Sequence, residues 1–132
     1  MPGKILVVDD EKDMVDATKM ILEMEGYEVV VAYDGDEALQ KVDAEMPDLI
    51  LLDQMMPGKS GIEVCKILKS QAKTKHIPVL IFTASGRNID DLVVEAQADG
   101  CFLKPFAPDD LLAEVRKRLD DARARKSFKE AS

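Results

Sequence analysis

The sequence predicts an α/β protein built on a single five-stranded parallel sheet, doubly wound, with helices on both faces. Short apolar runs, typical of strands buried on both faces, alternate five times with amphipathic helical patterns. Strands separated by helices pair in parallel through right-handed crossovers. The chain has 132 residues, which suits one such domain.

The first half of the chain is expected to supply three strands and two helices. Apolar runs predict strands at residues 4–8, 27–32 and 48–53. A helix over residues 12–25 is predicted from residues at helical spacing, namely Val15, Thr18, Ile21 and Leu22. Gly26 follows as a helix stop, and the turn Asp34–Gly35 precedes a short helix over 37–45.

In the second half of the chain, apolar runs predict strands at residues 78–82 and 100–103. Helical spacing of apolar residues predicts helices over 60–72 and 89–97. The helix over 60–72 has an apolar face formed by Ile62, Cys65, Ile67, Leu68 and Ala72. A last helix starts after Pro108, a residue that suits a first helical turn, and buries Leu111, Leu112, Val115 and Leu119. The mixed-charge tail after it either prolongs this helix or frays.

Composition limits the classes of partner. The net charge of -8 argues against DNA, RNA or an anionic membrane surface as a direct partner. No apolar run approaches the roughly 18 residues that span a bilayer, and the N-terminus shows no secretory signal. Cys65 and Cys101 form no metal or disulfide pattern, so we expect reduced thiols in a cytoplasmic protein.

Polar residues follow four of the predicted strands. Asp9 and Asp10 follow the first strand, Asp53 closes the third, Thr83 follows the fourth and Lys104 the fifth. The carboxyl ends of parallel strands form the ligand-binding edge of an open sheet. Each residue alone has an ordinary structural interpretation, such as Asp10 capping a helix. Together they indicate a metal-assisted phosphoryl acceptor.

If the first and third strands are neighbours, Asp9, Asp10 and Asp53 converge, and three such carboxylates require a cation or a raised pKa. Like charges about 4 Å apart repel by roughly 4 kcal/mol at an effective dielectric constant near 20. Carboxylate oxygens suit Mg²⁺, which expects a phosphate to complete its shell. Asp53 is the best candidate for the nucleophile because it stands alone at a central strand end. Lys104 and Thr83 would then hold the phosphoryl oxygens.

The sequence resembles the receiver domain of two-component response regulators from residue 4 to about 120. The matching segments are Val7-Val8-Asp9-Asp10-Glu11, Asp34-Gly35-Asp36-Glu37-Ala38-Leu39, Leu51-Leu52-Asp53-Gln54-Met55-Met56-Pro57 with Gly61, Thr83-Ala84, and Lys104-Pro105-Phe106. The resemblance implies a flavodoxin-like sheet with strand order 2-1-3-4-5. It also implies a receiver domain over residues 1–122, followed by a tail over 123–132.

The resemblance implies a function as well. Asp53 would accept a phosphoryl group from a histidine kinase or histidine phosphotransfer protein, in a reaction that needs Mg²⁺, or Mn²⁺ as a substitute. Asp10 would bind the metal directly, Asp9 more weakly or through water, and the Met55 backbone carbonyl would be a further ligand alongside Asp53. The chain would catalyse only its own phosphorylation and dephosphorylation, and would signal by binding a target protein as a monomer or weak dimer.

Two positions depart from the family pattern. Cys101 stands three residues before Lys104, where the family usually has Tyr or Phe, and strand alternation sends Phe102 to the opposite face. Gln97 stands where many members end the fourth helix with glycine. We therefore expect the switch at Thr83 and Cys101 to act through residues 84–90 and the fourth helix rather than through an aromatic rotamer.

Two other functions remain as alternatives. Only about a dozen residues follow the last helix, so a stand-alone receiver is expected, with a fragment of a larger response regulator or hybrid kinase as the nearest alternative. A haloacid-dehalogenase-like phosphatase also uses an aspartate after a buried strand. That enzyme class has a second aspartate two residues later, where this chain has Met55.

Overall fold

The computed structural model of the chain describes residues 3–56, 58–83, 89–103 and 106–131. The strands are β1 Lys4–Val8, β2 Glu28–Ala32, β3 Leu49–Asp53, β4 Val79–Thr83 and β5 Gly100–Leu103. The helices are α1 Lys12–Met24, α2 Gly35–Glu45, α3 Gly61–Lys69, α4 Ile89–Ala96 and α5 Pro108–Ala131. All five strands and all five helices that the sequence predicts are therefore present.

The strands form one parallel sheet in the order β2-β1-β3-β4-β5, which confirms the predicted flavodoxin-like topology. β1 pairs with both β2 and β3, so Val8 lies beside Ala32 on one side and Leu52 on the other. This register brings the carboxyl ends of β1 and β3 next to each other. The strand order reverses direction at this point, where open α/β sheets bind their ligands.

The two faces of the sheet bury separate cores, as strand alternation requires. One core joins β1, β3 and β4 to α2, α3 and α4 through residues that include Leu6, Leu52, Val42, Leu68 and Ala96. The other joins the opposite faces of these strands to α1 and α5 through residues that include Val7, Leu51, Leu22, Leu111 and Val115. All five residues of β3 are buried, so the sheet centre is a rigid platform.

Local hydrogen bonds move two helix boundaries from their predicted positions. α2 begins at Gly35 because Asp34 Oδ1 accepts a hydrogen bond from Glu37 N at 2.8 Å, so the predicted turn is the N-cap of the helix. α3 ends at Lys69, three residues early, because hydroxyls take two of its last carbonyls. Ser70 Oγ donates to Ile67 O at 2.7 Å, and Thr74 Oγ1 donates to Leu68 O at 2.6 Å.

The early end of α3 corrects part of its predicted apolar face. Ala72 is exposed outside the helix and Ile67 is only half-buried. Val64 is buried instead, beside Cys65 and Leu68. At the C-terminal end of the chain, α5 runs on through the mixed-charge tail to Ala131. No helix among the described residues has the length and hydropathy needed to cross a membrane.

Candidate functional site

Three aspartates converge at the carboxyl edge of the sheet. Asp9 and Asp10 directly follow β1, and Asp53 is the last residue of the neighbouring β3. One carboxylate oxygen from each lies within 4.8 Å of the other two. Asp9 and Asp53 are buried, with exposed fractions of 2% and 5%, whereas Asp10 is exposed to solvent. The structure therefore brings together all three carboxylates of the predicted cluster.

The start of α1 orients Asp9. The backbone N–H of Asp9 donates to Ala32 O on β2 at 3.2 Å, and Asp9 Oδ1 accepts from Glu11 N at 3.0 Å. Glu11, rather than Asp10, is the N-cap residue of α1, so the helix-capping interpretation of Asp10 is wrong. The physical reason is that Asp9 takes the Glu11 amide, while the Asp10 carboxylate lies with those of Asp9 and Asp53.

The segment after Asp53 is tied to β4 and to the start of α3. Gln54 N donates to Phe82 O at 2.8 Å, and Gly61 N donates to Gln54 O at 3.0 Å. A Cβ on Gly61 would lie 2.6 Å from Asp53 O and 2.9 Å from Gln54 Cα. Only glycine lets α3 begin this close to the Asp53–Gln54 peptide, because both contacts are backbone atoms that cannot swing aside.

Thr83 closes β4 beside the aspartate cluster. Asp53 pairs with Phe82 across the two strands, so Thr83 lies one residue further toward the carboxyl edge. Its side chain is buried, with an exposed fraction of 1%. Lys104, the other residue predicted to hold a phosphoryl group, lies outside the described residues, as do residues 84–88.

Cys101 and Phe102 face opposite sides of the sheet, as strand alternation predicts. Cys101 packs against the core shared with α2, α3 and α4. Phe102 packs against the other core, where its ring lies 5.4 Å from Phe82 and 6.1 Å from Phe106, measured between centroids. Phe102 therefore does not replace a ring at position 101. Burial raises the pKa of the Cys101 thiol above its usual value.

The donor chemistry of the cluster fits a small divalent cation. Mg²⁺ prefers carboxylate and carbonyl oxygens, and two or three such ligands from the protein leave room for water and phosphate. Three carboxylate oxygens within 4.8 Å supply this kind of donor set. Met55, whose backbone carbonyl is the additional predicted ligand, lies two residues beyond Asp53, and its side chain is 70% exposed.

One side-chain contact at this edge, made by Gln54, has no signal in the sequence. Gln54 Oε1 accepts a hydrogen bond from Ile62 N at 2.8 Å, which joins the residue after Asp53 to the first turn of α3. The contact spans eight residues of chain, so no local capping pattern predicts it. The sequence does indicate a role for Gly61, because it follows Ser60 at a predicted helix start and belongs to the matched pattern around Asp53.

The sheet order and the carboxylate cluster together define a flavodoxin-like domain with a candidate cation site at its topological switch point. Residues 5–116 match the response regulator receiver domain family. The chain belongs to this family, since the match covers most of its length.

Relatives of different lengths are similar to this chain. The alkaline phosphatase synthesis transcriptional regulatory protein PhoP of Bacillus subtilis (strain 168) is 45% identical over 120 residues, which are 90% of this chain and 49% of PhoP. This chain therefore spans about half the length of that curated relative.

The solved structures that are similar to this chain include both a protein of about its own length and a much longer one. A CheY-like response regulator receiver domain protein from Methanospirillum hungatei JF-1 is 31% identical with a TM-score of 0.87, covering 95% of this chain and 99% of the other. NtrX from Brucella abortus is 30% identical with a TM-score of 0.88, and the match covers all of this chain but 30% of NtrX.

Proposed function

We propose that the chain is a phosphorylation switch in which Asp53 accepts a phosphoryl group from a histidine kinase or histidine phosphotransfer protein. One observation carries this proposal: in a member of the receiver family, the buried Asp53 carboxylate ends the central strand within 4.8 Å of two further carboxylates. The phosphorylated form would signal by binding a downstream target protein. The chain would catalyse only its own phosphorylation and dephosphorylation.

Each residue at the edge has a role in this transfer. Asp10, Asp9, Asp53 and the Met55 carbonyl would hold Mg²⁺ or Mn²⁺, which when bound offsets negative charge around the phosphoryl group. An Asp53 oxygen attacks phosphorus, the bond from phosphorus to the partner's imidazole nitrogen breaks, and the imidazole leaves with the electron pair and takes up a proton. The Thr83 hydroxyl and the Lys104 ammonium would bind phosphoryl oxygens.

We infer a stand-alone receiver over residues 1–122 with a tail over 123–132, acting in the cytoplasm as a monomer or weak dimer. The almost complete coverage of the Methanospirillum receiver protein supports this inference. A receiver segment of a longer regulator is the second candidate, favoured by the half-length match to PhoP. The mass of the native protein distinguishes the two. The net charge of -8 supports our proposal that this chain itself binds no nucleic acid.

The output of the switch is proposed to run through Thr83 and Cys101 to residues 84–90 and α4. A thiol at position 101 has little to rotate, so an aromatic rotamer cannot carry the signal there. Amide chemical shifts of the wild type, Cys101→Tyr and Cys101→Ala, compared before and after adding beryllofluoride, test this route. Shifts confined to residues 101–106 in the wild type, with none over 84–97, would contradict it.

The test of the main proposal is intact-mass measurement after incubation with a small acyl phosphate. We expect a single phosphoryl addition with Mg²⁺ or Mn²⁺ and none after chelation. Asp53→Ala should abolish the addition. Asp48→Ala is the matched control, because Asp48 directly precedes β3, at the end away from Asp53, and accepts from Lys4 N at 2.8 Å. Unchanged phosphorylation of Asp53→Ala would show that Asp53 is not the acceptor.

A further inference from the structure

Gln54 makes three hydrogen bonds that join three elements at the carboxyl edge. Its N–H donates to Phe82 O on β4 at 2.8 Å, and its backbone carbonyl accepts from Gly61 N at 3.0 Å. Its side-chain Oε1 accepts from Ile62 N at 2.8 Å. A residue one place after Asp53 thus holds the fourth strand and the first turn of α3 together.

The backbone N–H groups in the first turn of α3 donate mainly to oxygens of Gln54. The first N–H groups of a helix have no partner within the helix and need outside acceptors. Gln54 supplies acceptors for two of them, at Gly61 and Ile62, and Ser60 Oγ accepts the third from Glu63 N at 3.3 Å. Gly61 also brings the helix start close to the Asp53–Gln54 peptide, where a Cβ would lie 2.6 Å from Asp53 O.

These contacts bear directly on the peptide of Met55. Gln54 is held on one side of Met55, and on the other side Met56 is half-buried against the core that lies beneath α2, α3 and α4. The Met55 side chain itself is 70% exposed, so packing of that side chain does little to hold the residue. The orientation of the Met55 backbone carbonyl therefore depends on its two neighbours.

We propose that Gln54 is a positioning residue for the metal centre, and that its side-chain hydrogen bond to α3 fixes the direction of the Met55 carbonyl. The inference rests on the proposed metal site. Mg²⁺ demands near-ideal octahedral geometry, so a ligand carbonyl that is free to tilt binds it poorly. Removing a group that orients a metal ligand typically lowers the affinity for the metal by about 10-fold or more.

The variant Gln54→Met tests this role, because it keeps the length of the side chain and removes the acceptor oxygen. Ser60→Ala is the matched control, since it removes the other side-chain acceptor of the same helix turn without touching Gln54. A purely structural role predicts that both variants lower the melting temperature and leave Mg²⁺ affinity alone. A positioning role predicts that only Gln54→Met weakens Mg²⁺ binding.

Each protein is titrated with Mg²⁺ alone, and amide chemical shifts report the binding. Hydrogen exchange over residues 55–60 is measured separately in the metal-free protein. We expect the Mg²⁺ dissociation constant of Gln54→Met to rise about tenfold, with faster exchange at Met55. Gln54→Glu keeps an acceptor at the same reach and should bind Mg²⁺ at least as tightly as the wild type.

The outcomes separate this inference from the proposed function. If the wild type binds Mg²⁺ and Gln54→Met binds it as tightly, the positioning role is wrong while the metal site stands. Equal weakening in Gln54→Met and Ser60→Ala would also overturn it, because a general loosening of α3 would then be the cause. If the wild type binds no Mg²⁺, the proposed metal site and this inference fail together.

Discussion

Gln97 ends α4 in the same left-handed motif in which Gly26 ends α1. Gln97 has φ 60° and Gly26 has φ 93°. After α1, Tyr27 N donates to Leu22 O at 3.2 Å and Gly26 N donates to Glu23 O at 3.0 Å. After α4, the equivalent bonds run from Ala98 N to Val93 O at 3.1 Å and from Gln97 N to Val94 O at 3.3 Å. Both pairs form the Schellman motif, which usually has glycine at this position.

Gln97→Gly should raise the free energy of unfolding by up to about 1 kcal/mol. A side chain in the left-handed region is strained by about 1–2 kcal/mol, and part of the gain is offset by the greater freedom of glycine in the unfolded chain. The matched variant Gly26→Ala introduces the same strain into α1 and should lower stability by about 1 kcal/mol. Urea denaturation measures both, and a loss of stability in Gln97→Gly would contradict this account.

Gly61→Ala should destabilise the fold by about 1–3 kcal/mol and slow phosphorylation of Asp53. The new Cβ would meet Asp53 O at 2.6 Å and Gln54 Cα at 2.9 Å, so α3 would have to move away from β3. Gly58→Asn is the control, because the site is open and asparagine tolerates its φ of 74°. Denaturation and acyl-phosphate labelling give the two measurements. Equal effects of the two substitutions would show that close packing at Gly61 is unimportant.

Lys69→Met should lower stability by about 2 kcal/mol. Lys69 Nζ donates to Asp99 Oδ2 at 2.9 Å, Ile77 O at 2.8 Å and Lys75 O at 3.1 Å, and its side chain is 10% exposed. Removing it leaves a largely buried carboxylate and two carbonyls short of a donor.

The control for Lys69 is Lys73→Met. Lys73 pairs with Asp43 at 3.1 Å on the surface, where the two side chains are 62% and 60% exposed. Such exposed pairs contribute little measurable stability because water and salt screen them. Thermal and urea denaturation of both variants provide the comparison. Similar losses in the two would refute the distinction between buried and exposed pairs here.

Mg²⁺ should raise the melting temperature of the wild type, because ligands that bind only the folded state stabilise it. The gain reaches about 2.7 kcal/mol at 100 times the dissociation constant. Asp10→Ala should remove most of this rise without lowering the stability of the metal-free protein, since Asp10 is exposed and its loss relieves repulsion with Asp9 and Asp53. Asp13→Ala makes the same change of charge in the first turn of α1 and should keep the response. If saturating Mg²⁺ leaves the melting temperature of the wild type unchanged, the three aspartates do not form a Mg²⁺ site.

The two thiols should differ in their reactivity toward iodoacetamide at pH 8. Burial raises the pKa of Cys65 to about 12 and also raises that of Cys101, so little reactive thiolate forms at either. Cys65 is fully buried and Cys101 only half-buried, so Cys101 should be labelled first. Peptide mapping by mass spectrometry measures the rates, with guanidinium-unfolded protein as the reference. Equal rates in the native protein would be inconsistent with this structure.

The burial of Cys65 also predicts a loss of stability at high pH. The folded state holds the thiol proton more tightly than the unfolded chain, in which the pKa is 9.0. This contribution to stability is fully present below pH 9.0 and is lost as the pH rises through the folded value of about 12. Cys65→Val should therefore show a shallower fall of unfolding free energy above pH 9.0 than the wild type.

The sequence by itself determined the elements, the sheet and the aspartate cluster. Four aliphatic residues in a row before Asp53 specify a strand buried on both faces, and parallel strands must present their carboxyl ends at one edge. Chain order alone therefore places Asp9, Asp10 and Asp53 on that edge. The family resemblance adds the strand order that makes β1 and β3 neighbours, which the structure confirms.

Only the tertiary structure decided how the segments between strands and helices are held. Ser70 and Thr74 end α3 early through hydroxyl bonds, and Gln54 accepts from the amide of Ile62 across eight residues. Such contacts depend on where the chain returns in space, which hydrophobic periodicity does not encode. At Gln97 the resemblance marks a helix end, but only the structure shows that a residue other than glycine takes left-handed backbone there, with φ 60°.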